Sequence, residues 1–444
     1  MQTPTPSAAT VKPTMGFWRC WSLSVGTMVG SGVFLLPAVL APYGGIGFLG
    51  WAVTGAGALL IALTLGHLAS RQRSPGGPYA FARDAFGSLA GFLVGWAYWI
   101  SCVAAAAAIA VAFAGYLAVF LPVLADTPLL QAGAALAILW TLATINAGGI
   151  AGASLVQLAM TLLKLLPLLL VVGVAAFAGD AGNLPDFNPS AQPLLPALAS
   201  AALLTMWAYA GLESSTIPAA DVIDPERTIP RATVVAVAGV AALYMAATAA
   251  VMLLVPAGIL EHSTAPFAEA ARSLGSAGPP LIAAGALVAT AGALNGILLV
   301  GGQMPMAVAL DGLAPAFLAR RNRAGAPRAA VLLSAGLASA LLVLNYADGL
   351  VAAFTVLITM STLALLAPLA IAALADLKHS WRTARGWALV AIASFVYASF
   401  AILGSGLEVI GWGLVLMAAG LPVYALARRR PGGLPRAAVM PADG

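Results

Sequence analysis

Gly30-Ser31-Gly32-Val33-Phe34-Leu35-Leu36-Pro37 sits inside a run from Cys20 to Gly66 that holds no Lys, Arg, Asp, Glu or His. Glycines and a proline in so apolar a setting mark a break in a membrane helix. A backbone unwinds at membrane depth only where protein or a water-filled cavity satisfies its freed N–H and C=O groups. An interruption there points to a buried ligand site, and so to a transporter.

The chain around this stretch agrees. Of its 444 residues 61% are hydrophobic and 8% charged, and the mean hydropathy is +0.99, which excludes a soluble fold. A spanning helix needs roughly 20 mostly apolar residues. Charge-sparse segments of that length recur at 17–41, 44–69, 88–122, 128–147, 153–178, 195–220, 229–256, 280–310, 328–346, 349–375, 384–405 and 408–427. The expectation is an all-α integral membrane protein of twelve transmembrane helices. Its tails cover 1–16 and 428–444, and one transmembrane domain covers 17–427.

Positive residues collect on the cytoplasmic side of a membrane. Eighteen of the twenty basic residues fall in the tails or in loops of one parity, from Lys12 and Arg19 through Arg71, Arg83, Arg227, Arg320 and Lys378 to Arg436. Arg272 lies in a loop of the other parity and Lys164 within a span. Both termini are therefore expected in the cytoplasm, with the protein in a plasma membrane such as a bacterial inner membrane. The net charge of +5 follows from this bias. It is not gathered into a basic and aromatic module, so nucleic acid is not an expected partner. Cys20 and Cys102 lie in or beside apolar spans, giving neither a disulfide framework nor a metal spacing, and no metal or other cofactor is expected. The first apolar segment is too long for a cleavable signal peptide and leads straight into a second span.

No stretch between the spans is long enough for a folded domain, and no Gly-Lys-Ser or Gly-Lys-Thr closes a P-loop. Energy must then come from an ion gradient or from exchange. A second break, Tyr209-Ala210-Gly211-Leu212-Glu213-Ser214, falls five spans after the first. Two interrupted spans at that separation are what an inverted repeat predicts: 17–178 against 195–375, with 384–427 as two added helices. Glycine also serves close helix packing; the pairing of the breaks, with a carboxylate beside the second, favours the transporter. The loop from Ser74-Pro75-Gly76-Gly77-Pro78 to Arg83 forms either a short interfacial segment near an inner gate or an ordinary tight turn.

Lys164 and Glu213 are the two ionisable residues that fall clearly within these spans. Burying either charge costs about 2.5 to 3.5 kcal/mol on insertion scales, so each is a functional candidate. Desolvation disfavours a charged lysine, which suits a group that gains and loses a proton in each cycle. Snorkelling to the interface is the alternative, against which Lys164 stands a turn or more inside its span. Glu213 accepts hydrogen bonds from freed amides, binds a proton tied to conformation, or is structural.

The break itself dictates a substrate chemistry. N–H groups at a half-helix N-terminus, around Ser31 and Gly32, favour a carboxylate, and freed carbonyls around Met28 and Ala210 favour an ammonium. An α-amino acid offers both. Tyr98, Trp207 and Tyr209 either wall this pocket or pack helices.

These motifs, with Trp207 to Ser214 and Asp224-Pro225-Glu226-Arg227-Thr228-Ile229-Pro230, resemble the amino acid, polyamine and organocation (APC) superfamily over nearly the whole chain. Within it they are similar to the basic amino acid/polyamine antiporters. The resemblance implies two inverted five-helix repeats plus two helices, alternating access, and exchange of one amino-acid-like molecule for another. It puts the substrate carboxylate on Ser31 and Gly32 and the amino group on the carbonyls of Met28, Trp207 and Ala210. Trp207 becomes a gate, Tyr98 falls in the outer part of the pathway, and Cys102, Gly211 and Ile297 complete the binding set. Lys164 matches a span 5 lysine that does the work of a sodium ion or proton, and a homodimer is implied.

Three positions depart from the arginine/agmatine exchangers of this family. Ile297 replaces a second tryptophan, Ala106 an asparagine, and no gate tyrosine stands between Thr355 and Pro368. A guanidinium loses its cation–π and hydrogen-bond partners there, and Lys164 adds repulsion. The expectation is a proton-linked antiporter or permease for a neutral or small amino acid, with arginine/agmatine exchange in acid resistance as the alternative. A channel would need a ring of charges or a carbonyl filter. An enzyme would need a converging catalytic set, whereas His67, His262 and His379 lie apart, near span ends or in loops.

Overall fold

The computed structural model describes residues 15–71, 77–148, 154–216, 222–322, 325–345 and 349–429. Hydrocarbon offers the backbone no hydrogen-bond partners, so long apolar runs satisfy their amides only as helices. The regular structure among the described residues is accordingly helical, apart from an isolated bridge between Met15 and Val222. In chain order these are α1 (Phe17–Met28), α2 (Ser31–Leu40), α3 (Gly45–Arg71), α4 (Pro78–Phe86), α5 (Ser88–Leu117), α6 (Pro128–Gly148), α7 (Ser154–Ala178) and α8 (Leu194–Met206). They continue as α9 (Pro225–Leu254), α10 (Ala257–Leu260), α11 (Pro266–Ala270), α12 (Gly278–Leu310), α13 (Arg328–Asn345), α14 (Leu350–Ser380), α15 (Arg385–Leu403) and α16 (Leu407–Arg429).

Among the described residues nine helices are long and apolar enough to cross a membrane: α3, α5, α6, α9 and α12 to α16. A tenth span is the pair α1 and α2, bent by 43° at a short break. Shorter apolar helices, Leu163–Ala178 and Leu194–Tyr209, stand where the sequence expects spans 5 and 6. Each apolar segment thus coincides with a helix or a broken helix, although length and apolarity alone identify ten of the twelve.

Small residues let these helices close on one another. A Cβ on Gly50 of α3 would lie 2.8 Å from the Ala201 Cβ of α8, and beside it Thr54 and Thr205 share a hydrogen bond of 2.7 Å between hydroxyls. The buried Ala104 to Ala108 run lies on α5, which packs against α12 and α14. The later part of the loop after α3 forms the helix α4; residues 74–76 of that motif lie outside the described residues. Tyr79 Oη on α4 donates to Asp311 Oδ2 at 2.6 Å, and Arg83 pairs with the same carboxylate. Burial and then the Asp311 carboxylate hold the Tyr79 phenol well above its usual range, so it remains a donor.

Among the span ends that differ from the sequence reading are those of α5 and α14. α5 stops at Leu117, short of residue 122, and the chain turns through Pro122–Leu124 because proline cannot continue the amide ladder. α14 runs past 375 to Ser380 because Asp376, which resembles a terminal charge in the sequence, is fully buried against His67 of α3 at 2.7 Å. Lys164 and Glu213 are therefore joined by a second kind of buried ionisable group that the sequence did not single out.

Candidate functional site

α1 ends at Met28, and the chain passes through Val29 and Gly30 before α2 begins. A Cβ on Gly30 would lie 2.8 Å from that of Ala293 on α12, and one on Gly32 would lie 3.0 Å from Trp207 Cδ1 and 3.1 Å from Ala208 Cα. These glycines thus allow two neighbours to close on the break. The Ser31 side chain lies outside the described residues.

The second break follows α8. Trp207–Tyr209 forms a tight 3-10 turn, Gly211 takes φ +104°, and a second 3-10 turn runs from Leu212 to Thr216. A Cβ on Gly211 would come within 2.8 Å of Thr27 Cβ, and the Thr27 hydroxyl lies 3.0 Å from the Gly211 carbonyl oxygen. Glu213 is 2% exposed. Its Oε1 accepts from Tyr98 Oη at 2.8 Å and its Oε2 from the Gly211 N–H at 3.1 Å. The carboxylate therefore takes up an amide freed by the break. No cation among the described residues lies within ion-pair reach of it.

Both breaks face one cavity of about 650 Å³. Met28, Gly32, Tyr98, Cys102, Trp207, Ala210, Gly211, Glu213 and Ile297 all contribute to its wall. Met15, Trp18 and Arg19 at the start of α1 also line it, and with Trp18 71% exposed the cavity opens toward the N-terminal side. The opposite side is shut by fully buried rings. Phe34 stacks edge-on to Tyr116 at 5.8 Å and to Phe267 at 5.3 Å, and Tyr116 Oη donates to the Phe34 carbonyl at 2.7 Å.

Several residues sit differently from expectation. Tyr98 lines the cavity and donates to Glu213, a contact the sequence reading did not give it. Lys164 is 3% exposed and does not line the cavity. Its Nζ donates to the Gly26 carbonyl at 3.2 Å, beside Gly292, where a cation offsets the negative end of α1. Two of the carbonyls assigned to the amino group already have donors: Met28 O takes Tyr244 Oη at 2.7 Å and Trp207 O takes the Ala210 N–H at 3.1 Å. Tyr209 packs against Trp51 and Tyr244 instead of walling the pocket. Ala106 is buried off the wall, whose α5 face is made with Ser101, Ala105 and Ile109.

The sequence did not single out Ser101 and Ser361, which line the cavity from α5 and α14. Ser361 Oγ donates to the Ser101 carbonyl at 2.8 Å, and the two hydroxyls are 3.1 Å apart. The one available signal was a serine one turn from Tyr98 in an otherwise apolar helix. The Trp207 indole N–H is buried with no hydrogen-bond partner among the described residues, which leaves it a donor to spare.

A family model for amino acid permeases matches residues 15–424. The chain is similar to a Bacillus subtilis (strain 168) protein assigned as an arginine/ornithine antiporter, with 30% identity covering 92% of this chain and 96% of that one. It is 32% identical to the cadaverine/lysine antiporter of Escherichia coli (strain K12), covering 74% of each. It is 27% identical to the putrescine transporter PotE of the same strain, covering 94% of this chain and 96% of PotE.

Proposed function

The chain belongs to the amino acid permease family, and on that premise we propose that it exchanges cationic amino acids or diamines by alternating access. It is a multi-pass membrane protein of the secondary transporter, antiporter type. The observation that carries the substrate reading is Glu213, a buried carboxylate on the cavity wall without a cation partner among the described residues. A substrate ammonium supplies the missing charge, and its release returns the carboxylate to Tyr98 and the Gly211 amide.

The other end of an amino acid is an anion. The first amides of α2 and the unpartnered Trp207 indole N–H offer donors to it, reinforced by the helix dipole. The case for a neutral substrate leaned on repulsion from Lys164, but that ammonium is off the cavity wall and held by the Gly26 carbonyl. The relatives named for arginine, ornithine, lysine, cadaverine and putrescine lend the cationic reading further support. A neutral amino acid is the second reading, favoured by the apolar wall of Ala105, Ile109 and Ile297.

In this scheme both termini face the cytoplasm across a bacterial inner membrane. Residues 17–178 and 195–375 form the two repeats, with 384–427 as the added helices, and two copies associate. The cavity is then cytoplasmic and the Phe34, Tyr116 and Phe267 rings form the outer seal. Transport is linked to protons through Lys164, whose charge sets how firmly the end of α1 is held. The substrate crosses unaltered, without a chemical step. Uptake of a labelled panel into preloaded proteoliposomes tests the reading: lysine, ornithine, arginine and diamines should compete with one another. Preference for leucine or alanine would overturn it.

A further inference from the structure

A buried titratable cluster lies apart from the cavity, where α3, α14 and α15 meet. His67 is 7% exposed and Asp376 0%, and His67 Nδ1 is 2.7 Å from Asp376 Oδ1. Ser380 Oγ reaches the same oxygen at 3.3 Å. Asp376 Oδ2 is buried with no hydrogen-bond partner among the described residues. The Trp387 indole lies flat on the imidazole, with centroids 4.2 Å apart and planes 3° from parallel. His67 and Asp376 each stand about one helical turn, roughly 6 Å, from the end of their helix. Both ends lie on the side at which the cavity opens.

We propose that His67 and Asp376 form a proton-binding site, separate from the substrate cavity, whose protonated state fastens the end of α14 to α3. An imidazolium facing a carboxylate is a neutral pair. Once the imidazolium loses a proton the pair carries a net negative charge with no counter-charge, shared only by the remaining Nδ1–H and the Ser380 hydroxyl, with nothing on Oδ2. A buried charge stripped of its partner is strongly unfavourable, so the packed arrangement loosens. Histidine is the side chain that changes charge between about pH 5 and 8.

No neighbouring charge replaces the proton. On α3, Arg71 is exposed. On α14, Lys378 turns away to the Ala85 carbonyl at 2.7 Å and His379 is exposed. On α15, Arg385 is exposed and Trp387 is the side chain that faces the pair. α9 reaches this level where Pro230 packs on Gly66, but its Glu226, Arg227 and Arg231 are exposed. On α4, Arg83 is engaged by Asp84 and Asp311; α8 carries no titratable side chain. On α16, Arg428 lies over the Tyr424 ring. The site bears on transport because Ser361 and Leu365 line the cavity from the same helix, about three turns before Asp376.

The test uses the full chain in lipid nanodiscs with isotope-labelled histidine. The chain has three histidines, and His67→Gln identifies the buried one. The melting temperature of the native protein should fall by about 3 °C as the pH is raised, in step with the loss of a proton from the His67 ring. His67→Gln and Asp376→Asn should each flatten that slope. A merely structural contact would lower the melting temperature equally at every pH and leave the slope intact. An imidazole that does not titrate in the native protein, or variants that keep its slope, would overturn the proposal. Should one variant fail to insert, the native titration and the other variant still decide. Neither readout needs a transport substrate, so an error in substrate assignment leaves this test untouched.

Discussion

Glu213 shows how far a single residue was readable. A carboxylate beside a glycine break in an apolar span has few uses, and the freed amide it was expected to meet is the Gly211 N–H at 3.1 Å. Its partner Tyr98 was not readable as such, because their contact spans distant parts of the chain. The same holds for His67 and Asp376, and for Ser101 and Ser361, since a lone serine in a membrane helix is commonplace. If Glu213 binds a substrate ammonium, Glu213→Gln should raise KM for cationic substrates about 10- to 100-fold, the value of a charge-assisted hydrogen bond. Membrane insertion should be unchanged, and an unaltered KM would remove Glu213 from the site. Gly211 gives a structural counterpart. With φ +104° and Thr27 within 2.8 Å of an added Cβ, Gly211→Ala should destabilise the protein by about 1 to 3 kcal/mol, visible in thermal melts.

At the scale of elements, apolar run length located the helices because a bilayer permits little else. It located their ends poorly, since these depend on tertiary partners: α14 continues to Ser380 only because His67 receives Asp376. Lys164 was legible as a buried ionisable group, and the structure supplies its partner, the carbonyl end of α1. From that position Lys164→Ala should leave the chain inserted and folded while flattening the pH dependence of exchange; an unchanged profile would remove its coupling role. Contact between α3 and α15 provides a packing test. A Cβ on Gly57 would fall 2.3 Å from the Tyr397 ring, so Gly57→Ala should lower the melting temperature by about 2 to 4 °C.

Over the whole molecule, two broken helices meet in one cavity that opens beside Met15, Trp18 and Arg19 and is shut beyond Phe34, Tyr116 and Phe267. An enclosed site with one open side is the geometry that alternating access requires. The proposed preference for cations rests on the buried carboxylate of Glu213 on its wall. The most direct measurement is counterflow of labelled lysine into proteoliposomes loaded with unlabelled ornithine, with leucine, or with nothing, for the native chain and for Glu213→Gln. The account predicts rapid uptake only against ornithine and only in the native chain. Equal uptake into empty vesicles, or faster uptake against leucine, would contradict exchange of cations at Glu213.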